Sequence, residues 1–313
     1  MPKYKFATTT NLTTSYVGEA AMEYIHKAFL SSKTIADGLV TIKEDVHKSW
    51  KIRRIASSGL IADQTCDFTP VGTVDLDERA LDTSDLEVNL EMCKDDFLGD
   101  WGSVRMGSGA NKKQLPPETA EGMINEILLT VGEEVERLIW DATIAGTDPF
   151  DGLTEIILNA ATSVKITGVP IVAGNVIAQL QLSYDALSGL KIYNKPDVSM
   201  YVSRNVGAAY QSALGLVGAG VGYSNLATVG LKPWDFLGVP IQVMPGIRPS
   251  TVITGQKSNL FFGTDSLSDT AEVILKDMSD VDLSNNVRFR AGFAAGVQYG
   301  WADELIIQEP TIP

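Results

Sequence analysis

The sequence predicts an α+β fold, and three observations carry that reading. One long amphipathic helix covers 116–147, the stretch 236–299 reads as successive strands, and helical and strand patterns mix over 150–232. Helices and strands that segregate along a chain, without regular βαβ alternation, mark this class.

The elements follow in chain order. Residues 1–16 are Thr-rich and extended, and Tyr16–Leu30 turns helical, with Ala20, Ala21, Tyr24, Ile25 and Phe29 at helical spacing. A short helix behind a polar tail suits an arm laid across something else. Met1–Ser15 holds few apolar groups beyond Tyr4, Phe6 and Leu12, too little to bury against its own domain. Tyr4 and Phe6 are therefore expected to order only against a neighbouring subunit.

Residues 39–92 read as long strands around a loop. Val40, Ile42, Val46, Trp50 and Ile52 share one phase, and Leu86, Val88, Leu90 and Met92 share another, opposed by Glu87, Asn89 and Glu91. The loop between them holds Gly59, Pro70, Gly72 and Asp75–Glu78. Long exposed ribbons are normally avoided because their edges invite pairing with other chains, so a retained one predicts contact with another chain. Charge sharpens this. His47–Arg54 carries Lys48, Lys51, Arg53 and Arg54 with no acid, whereas Asp75–Asp100 is acid-rich with only Arg79 and Lys94 against it. Two readings fit: two solvated faces of one domain, or a basic ribbon lying on an acidic shelf of the next subunit. On the second, the contact residues are Lys48, Trp50, Lys51, Arg53 and Arg54, facing Asp75, Asp77 and Glu78.

The long helix begins at prolines, where a missing N–H costs nothing, and Gly146 sits where a left-handed cap is often needed. Ile124, Ile127, Leu128, Val131, Val135, Leu138, Ile139 and Ala142 form its apolar stripe, with Glu126, Glu133, Glu134, Arg137 and Asp141 mostly off it. The mixed segment then gives a helix over 174–190, a buried strand over 198–202, a second helix over 204–214 and a glycine-rich loop over 215–222. Strands close the chain at 236–243, 252–254, 259–264, 271–276 and 287–299. In the last of these Val287, Phe289, Ala291, Phe293, Ala295, Val297 and Tyr299 point one way, the period of two of a strand with one buried face.

Composition narrows the function classes. A chain of 313 residues with 44% hydrophobic content buries a substantial core. A net charge of −14 argues against a protein that grips nucleic acid, which needs clustered Lys and Arg. No apolar run reaches membrane-spanning length, and residues 1–30 lack the pattern of a signal peptide. Cys66 and Cys93 are too few for a disulfide framework, so an intracellular origin is expected.

Motifs for chemistry are weak. Gly215–Gly222 lacks the G-x-G-x-x-G order, follows a helix, and has no Lys-Ser/Thr to complete a phosphate loop. His26 and His47, the only histidines, have no Cys or carboxylate at ligand spacing. There is no G-x-S-x-G elbow. Asp148 and Asp151 beside Gly152 suggest a turn, and carboxylate pairs such as Asp95-Asp96 and Glu133-Glu134 have nothing beside them to raise one pKa. No catalytic, cofactor-binding or metal residue emerges, and the chain is not expected to be an enzyme.

The order of parts resembles the major capsid proteins of tailed DNA phages, the HK97-type fold. The sequence runs from an arm through a long ribbon, a spine helix and a mixed α/β block to closing strands. Gly146-Thr-Asp-Pro-Phe-Asp-Gly152-Leu153 is similar to that family's exit from its backbone helix, and Asp197–Asn205 to its buried strand with a polar N-cap. Leu237–Pro245, Asn259–Thr264 and Arg288–Trp301 resemble its closing passages. The resemblance covers roughly 17–308 and implies an N-terminal arm (1–34), an extended loop (35–84), a peripheral domain (85–153 and 271–313, with a spine helix at 116–146) and an axial domain (154–270).

It also implies a function: self-assembly as pentamers and hexamers into an icosahedral shell around double-stranded DNA, held without sequence-specific binding. The shell would form in the host bacterial cytoplasm and end as the virion capsid, with no cofactor and no membrane. A portal, decoration proteins and a scaffold are implied partners. No long charged helical extension of the kind some members use as a built-in scaffold is present in this sequence, so the scaffold is expected either as a separate protein or as a segment outside this sequence. An acidic inner wall suits this role, since the duplex slides past it. Two alternatives stand beside it. One is an encapsulin-type nanocompartment shell of the same fold, and the other an α+β hydrolase or binding module, which would need a polar pocket.

Overall fold

The computed structural model describes residues 13–17, 31–61, 63, 70–93, 117–216, 234–265, 272–278, 281 and 284–310. The chain divides into two compact units, one of residues 1–31, 85–132 and 265–294, the other of 32–84, 133–264 and 295–313.

In the first unit, strand β12 (Glu272–Asp277) lies between β1 (Thr13–Val17) and the first part of β13 (Asn286–Tyr299), antiparallel to both. Strand β5 (Ser84–Cys93) also pairs with β13. The period of two holds over residues 287–291 as the sequence predicts, and it ends from Phe293 to Val297, where every residue is buried because both faces of the strand are covered. Val287, Phe289 and Ala291 are buried with Val273 and Leu275, and Arg288 and Arg290 are exposed. On that exposed face Arg290 Nε lies 2.6 Å from Glu87 Oε1 and Arg288 Nε 3.3 Å from Glu91 Oε2. The pairing of β1 corrects the reading of the arm. Its last residues run in register along β12, and Tyr16, expected to open a helix, lies inside this strand. Backbone hydrogen bonding in a strand pair asks for no apolar surplus, and Thr and Val suit it. Tyr4, Phe6 and the rest of the expected helix lie outside the described residues.

The second unit is built on a sheet of order β6 (Val164–Thr167), β14 (Ile306–Glu309), β10 (Val252–Gln256), β7 (Val198–Ser203), β9 (Val239–Met244) and β8 (Asp235–Phe236). Helices over Val176–Ser188 and Arg204–Leu216 pack on it, as their patterns predict, through Val176, Leu180, Leu187, Val206 and Tyr210 against Met200, Val202, Ile241 and Ile306. A second strand group joins β11 (Leu260–Thr264) antiparallel to the end of β13 and parallel to β2 (Thr41–Lys43). The closing strands therefore do not form one sheet. The expected strand 236–243 is in fact a hairpin, with Leu237 at φ 49° and Gly238 at φ 86° turning β8 into β9. Two consecutive left-handed residues match the twist of a two-residue hairpin.

The long helix, α2, covers Pro117–Asp141, on the order of 38 Å at 1.5 Å per residue. Ile124, Leu128, Val135, Leu138 and Ile139 of the expected stripe are buried. Its exit differs from expectation. The helix stops at Asp141, a 3-10 turn covers Ile144–Gly146, and the left-handed residue is Thr147 at φ 107°, not Gly146. Side chains satisfy the turn: Thr143 N donates to Asp148 Oδ2 (2.9 Å) and Ile144 N to Asp151 Oδ1 (2.7 Å), so both aspartates serve the turn as read. Arg137 grips Asp148 from the last helical turn and holds its carboxyl below the usual range. Gly152 is the residue this exit cannot change freely, because a Cβ there would sit 2.7 Å from Ala142 N. Residues 217–222 of the glycine-rich loop lie outside the described residues.

Candidate functional site

The 39–92 stretch folds as the short strand β2, a ribbon and nearly all of the longer strand β5, and the ribbon is the site to which the sequence assigns contact. Its root is fixed by buried polar groups. Glu136 of α2, only 4% exposed, accepts from Ser32 Oγ (2.6 Å), Thr34 N (2.9 Å) and Thr34 Oγ1 (2.7 Å), and Trp140 Nε1 donates to Thr34 Oγ1 (2.6 Å). Tyr201, whose hydroxyl pKa burial pushes up, donates to Leu39 O at 3.1 Å and stands 5.2 Å from the Trp140 ring. Sequence reasoning missed Glu136 and Trp140. A glutamate in an amphipathic helix reads as solvent-facing, and its partners lie about a hundred residues away in the chain.

From this root β2 pairs with β11, the chain turns at Asp45 (φ 64°), and β3 (Ser49–Ser58) begins. The single phase expected over 40–52 is thus broken: Val40, Val46 and Ile52 are buried, while Ile42 and Trp50 are each 37% exposed. His47, read as lacking a carboxylate partner, has Asp45 Oδ1 3.1 Å from its Nε2, both groups being exposed. Strand β4 (Thr73–Asp82) returns antiparallel along β3 from Ser49↔Asp82 to Ser58↔Thr73. Asp75, Asp77 and Glu78, expected in the loop, are strand residues.

That register decides where the charges go. Arg53 stands opposite Glu78 and Arg54 opposite Asp77, so the two charge blocks of the sequence include the two strands of one hairpin. Lys51 Nζ donates to Glu78 Oε1 at 2.5 Å, which holds the Glu78 carboxyl below its ordinary value, and Arg53 Nε lies 3.6 Å from Glu78 Oε2. Opposed residues of an antiparallel pair share a face. One face, here called outer, carries Lys51, Arg53, Ile55, Val74, Leu76 and Glu78; Ile55, Val74 and Leu76 are 70%, 62% and 71% exposed.

The inner face carries Ile52, Arg54, Ala56, Asp75, Asp77 and Arg79. At its base Ile52 and Leu81 bury against Phe261, with Trp301 packed alongside. Trp50 belongs to this base too: its ring lies 6.0 Å from Phe261 and Lys43 Nζ stands 4.8 Å over it. Arg79 covers the Tyr299 ring at 4.1 Å, and Gln298 Nε2 donates to Ala80 O at 3.0 Å. The approach is so close that a Cβ on Gly296 would overlap the Asp82 carbonyl. Farther out, a cleft of about 610 Å³ lies between the inner face and residues 300–303, lined by Arg54, Asp75, Asp77, Arg79, Lys191 and Asp303 among others. Among the described residues no His or Cys lines it. Lys48 is exposed beside β3, its carbonyl accepting from Thr83 N at 2.9 Å.

No protein-family model matches the sequence, and no curated protein matches it. Solved structures do. A chain from the capsid of the native GTA particle aligns over 98% of this chain and 94% of its own, at 13% identity and a TM-score of 0.60. A chain of the satellite phage P4 procapsid, which includes the size determination (Sid) protein, aligns over 92% and 98% respectively, at 13% identity and 0.57. A chain of Mycobacterium phage Che8 aligns over 100% and 98%, at 14% identity and 0.51. The shared feature is the fold: this chain has the mixed α+β, HK97-type architecture of phage capsid structures along nearly its whole length.

Proposed function

We propose that the chain is the major capsid protein of a tailed phage, a structural subunit with no catalytic role, whose copies assemble as pentamers and hexamers into an icosahedral shell around double-stranded DNA. The observation that carries the reading is the likeness in fold, end to end, to chains of phage and GTA capsids. The ribbon supports it, since apolar side chains on an exposed strand face mark a surface meant for another protein.

In this reading residues 1–34 are the arm, 35–84 the extended loop, 85–153 with 271–313 the peripheral domain and 154–270 the axial domain. The ribbon is a strap onto the next subunit, and its outer face, with Lys51, Arg53, Ile55 and Leu76, makes the contact. Tyr4 and Phe6 add arm contacts. The net charge of −14 suits a wall that DNA slides past. A separate scaffold, a portal and decoration proteins complete assembly in the host cytoplasm, and the finished protein resides in the virion. Native mass spectrometry of the purified chain tests the ring states. Five- and six-membered rings are expected; a monomer at every concentration would count against the proposal.

A further inference from the structure

We propose that Arg54 is a latch that holds the distal half of the ribbon against its own unit, a positioning role distinct from that of Lys48, Lys51 and Arg53. The apolar anchoring of the ribbon ends early. Ile52 and Leu81 are in the core cluster, but the pairs from Arg54↔Asp77 to Ser58↔Thr73 include no buried residue. A two-stranded ribbon without a covered face is marginally stable at best. Beneath this stretch lies the cleft of about 610 Å³, so the inner face is not packed down.

Arg54 bridges that space. Its Nη1 donates to Asp303 Oδ1 (3.2 Å) and Oδ2 (3.4 Å), and its Nη2 lies 3.8 Å from Glu304 Oε1. The guanidinium also stands 5.3 Å over the Trp301 ring, a cation–π contact that adds to the ion pairs. Its side chain is 25% exposed, against 68% for Arg53 one residue earlier on the other face. A planar fork over an aromatic ring and beside two carboxylates fixes direction as well as distance. The latch therefore sets the pose of the ribbon before any partner arrives. If the ribbon is the strap of the proposed shell, a preset pose lowers the ordering cost of each contact; that clause rests on the capsid reading, and the latch does not.

Hydrogen exchange of the full-length chain, kept dispersed at low concentration and read by mass spectrometry, tests the latch in peptides covering 54–58 and 73–77. Arg54→Ala is expected to speed exchange there by about tenfold, equivalent to 1.4 kcal/mol in the opening equilibrium. Strands β7 and β10 should stay as protected as before, and Arg53→Ala should change little. Asp303→Asn, on the other side of the pair, should open the same peptides. Unchanged exchange in both Arg54→Ala and Asp303→Asn would overturn the latch, as would an equal effect of Arg53→Ala. No shell takes part in this measurement, so its failure leaves the capsid reading intact, and a chain that never assembles leaves the latch intact.

Discussion

At the scale of single residues, buried charge decides more than the exposed charge that dominates the sequence. Glu136 holds the root of the ribbon through three donors. Glu136→Leu removes the acceptor and strands Ser32 and Thr34 in a buried place, at a cost of about 2–4 kcal/mol. The urea midpoint should fall by a corresponding amount, and Glu136→Gln, which keeps one carbonyl acceptor, should fall less; equal midpoints for wild type and Leu would contradict this. A second group responds to pH. Arg248 lies among Asp141 Oδ1 (2.5 Å), Glu155 Oε2 (3.4 Å) and the buried Glu309 Oε1 (3.5 Å). Desolvation raises the Glu309 pKa above its ordinary 4.5, against the pull of Arg248. The folded state thus binds this proton more tightly than the unfolded chain, so its contribution to stability falls as pH rises from 4.5 through the folded pKa, then levels. Denaturant midpoints measured against pH should show this decline in wild type and lose it in Glu309→Gln; parallel curves would mean that Glu309 titrates normally.

At the scale of elements, what was legible followed periodicity, and what was hidden depended on partners far along the chain. The alternation over 287–291 and most of the stripe on α2 needed only their own residues and appear as read. From Phe293 to Val297 every residue is buried, so the pattern of one buried face ends there, and Ile127 and Val131 of the stripe are half-buried. In the sequence Asp75, Asp77 and Glu78 read as solvent-facing loop residues; pairing opposite Ala56, Arg54 and Arg53 of β3 makes them part of strand β4. The hairpin at Leu237–Gly238 lacks the usual Asn-Gly signal, and a leucine at φ 49° has no sequence mark. The contact set divides in the same way. Trp50 and Arg54 touch their own unit, while Lys51 and Arg53 lie on the exposed face that the sequence could not separate from the other. Two variants distinguish the core from the proposed contact surface. Val135→Asp puts an unpaired charge at a position 2% exposed and should leave the chain insoluble. Ile55→Asp with Leu76→Asp alters side chains already in solvent, so circular dichroism should stay native while sedimentation shows lost assembly. A folded, soluble V135D chain would put the helix core on the wrong face, and normal particles from the double aspartate variant would remove the outer face from the interface.

At the scale of the whole molecule, the order of elements carried the fold, and no single motif did. Among the described residues the ribbon, the long helix, the mixed block and the closing strands appear in sequence order, which is why the architecture was readable. Which strands share a sheet was not readable, because β9, β10 and β14 differ from β11 and β12 only in their distant partners. The central claim concerns what many copies do together, and electron microscopy of the purified full-length chain at high concentration addresses it most directly. The account predicts rings of five and six subunits and closed isometric shells built from them. Fields that hold only dispersed single subunits, at every concentration and salt tried, would contradict it.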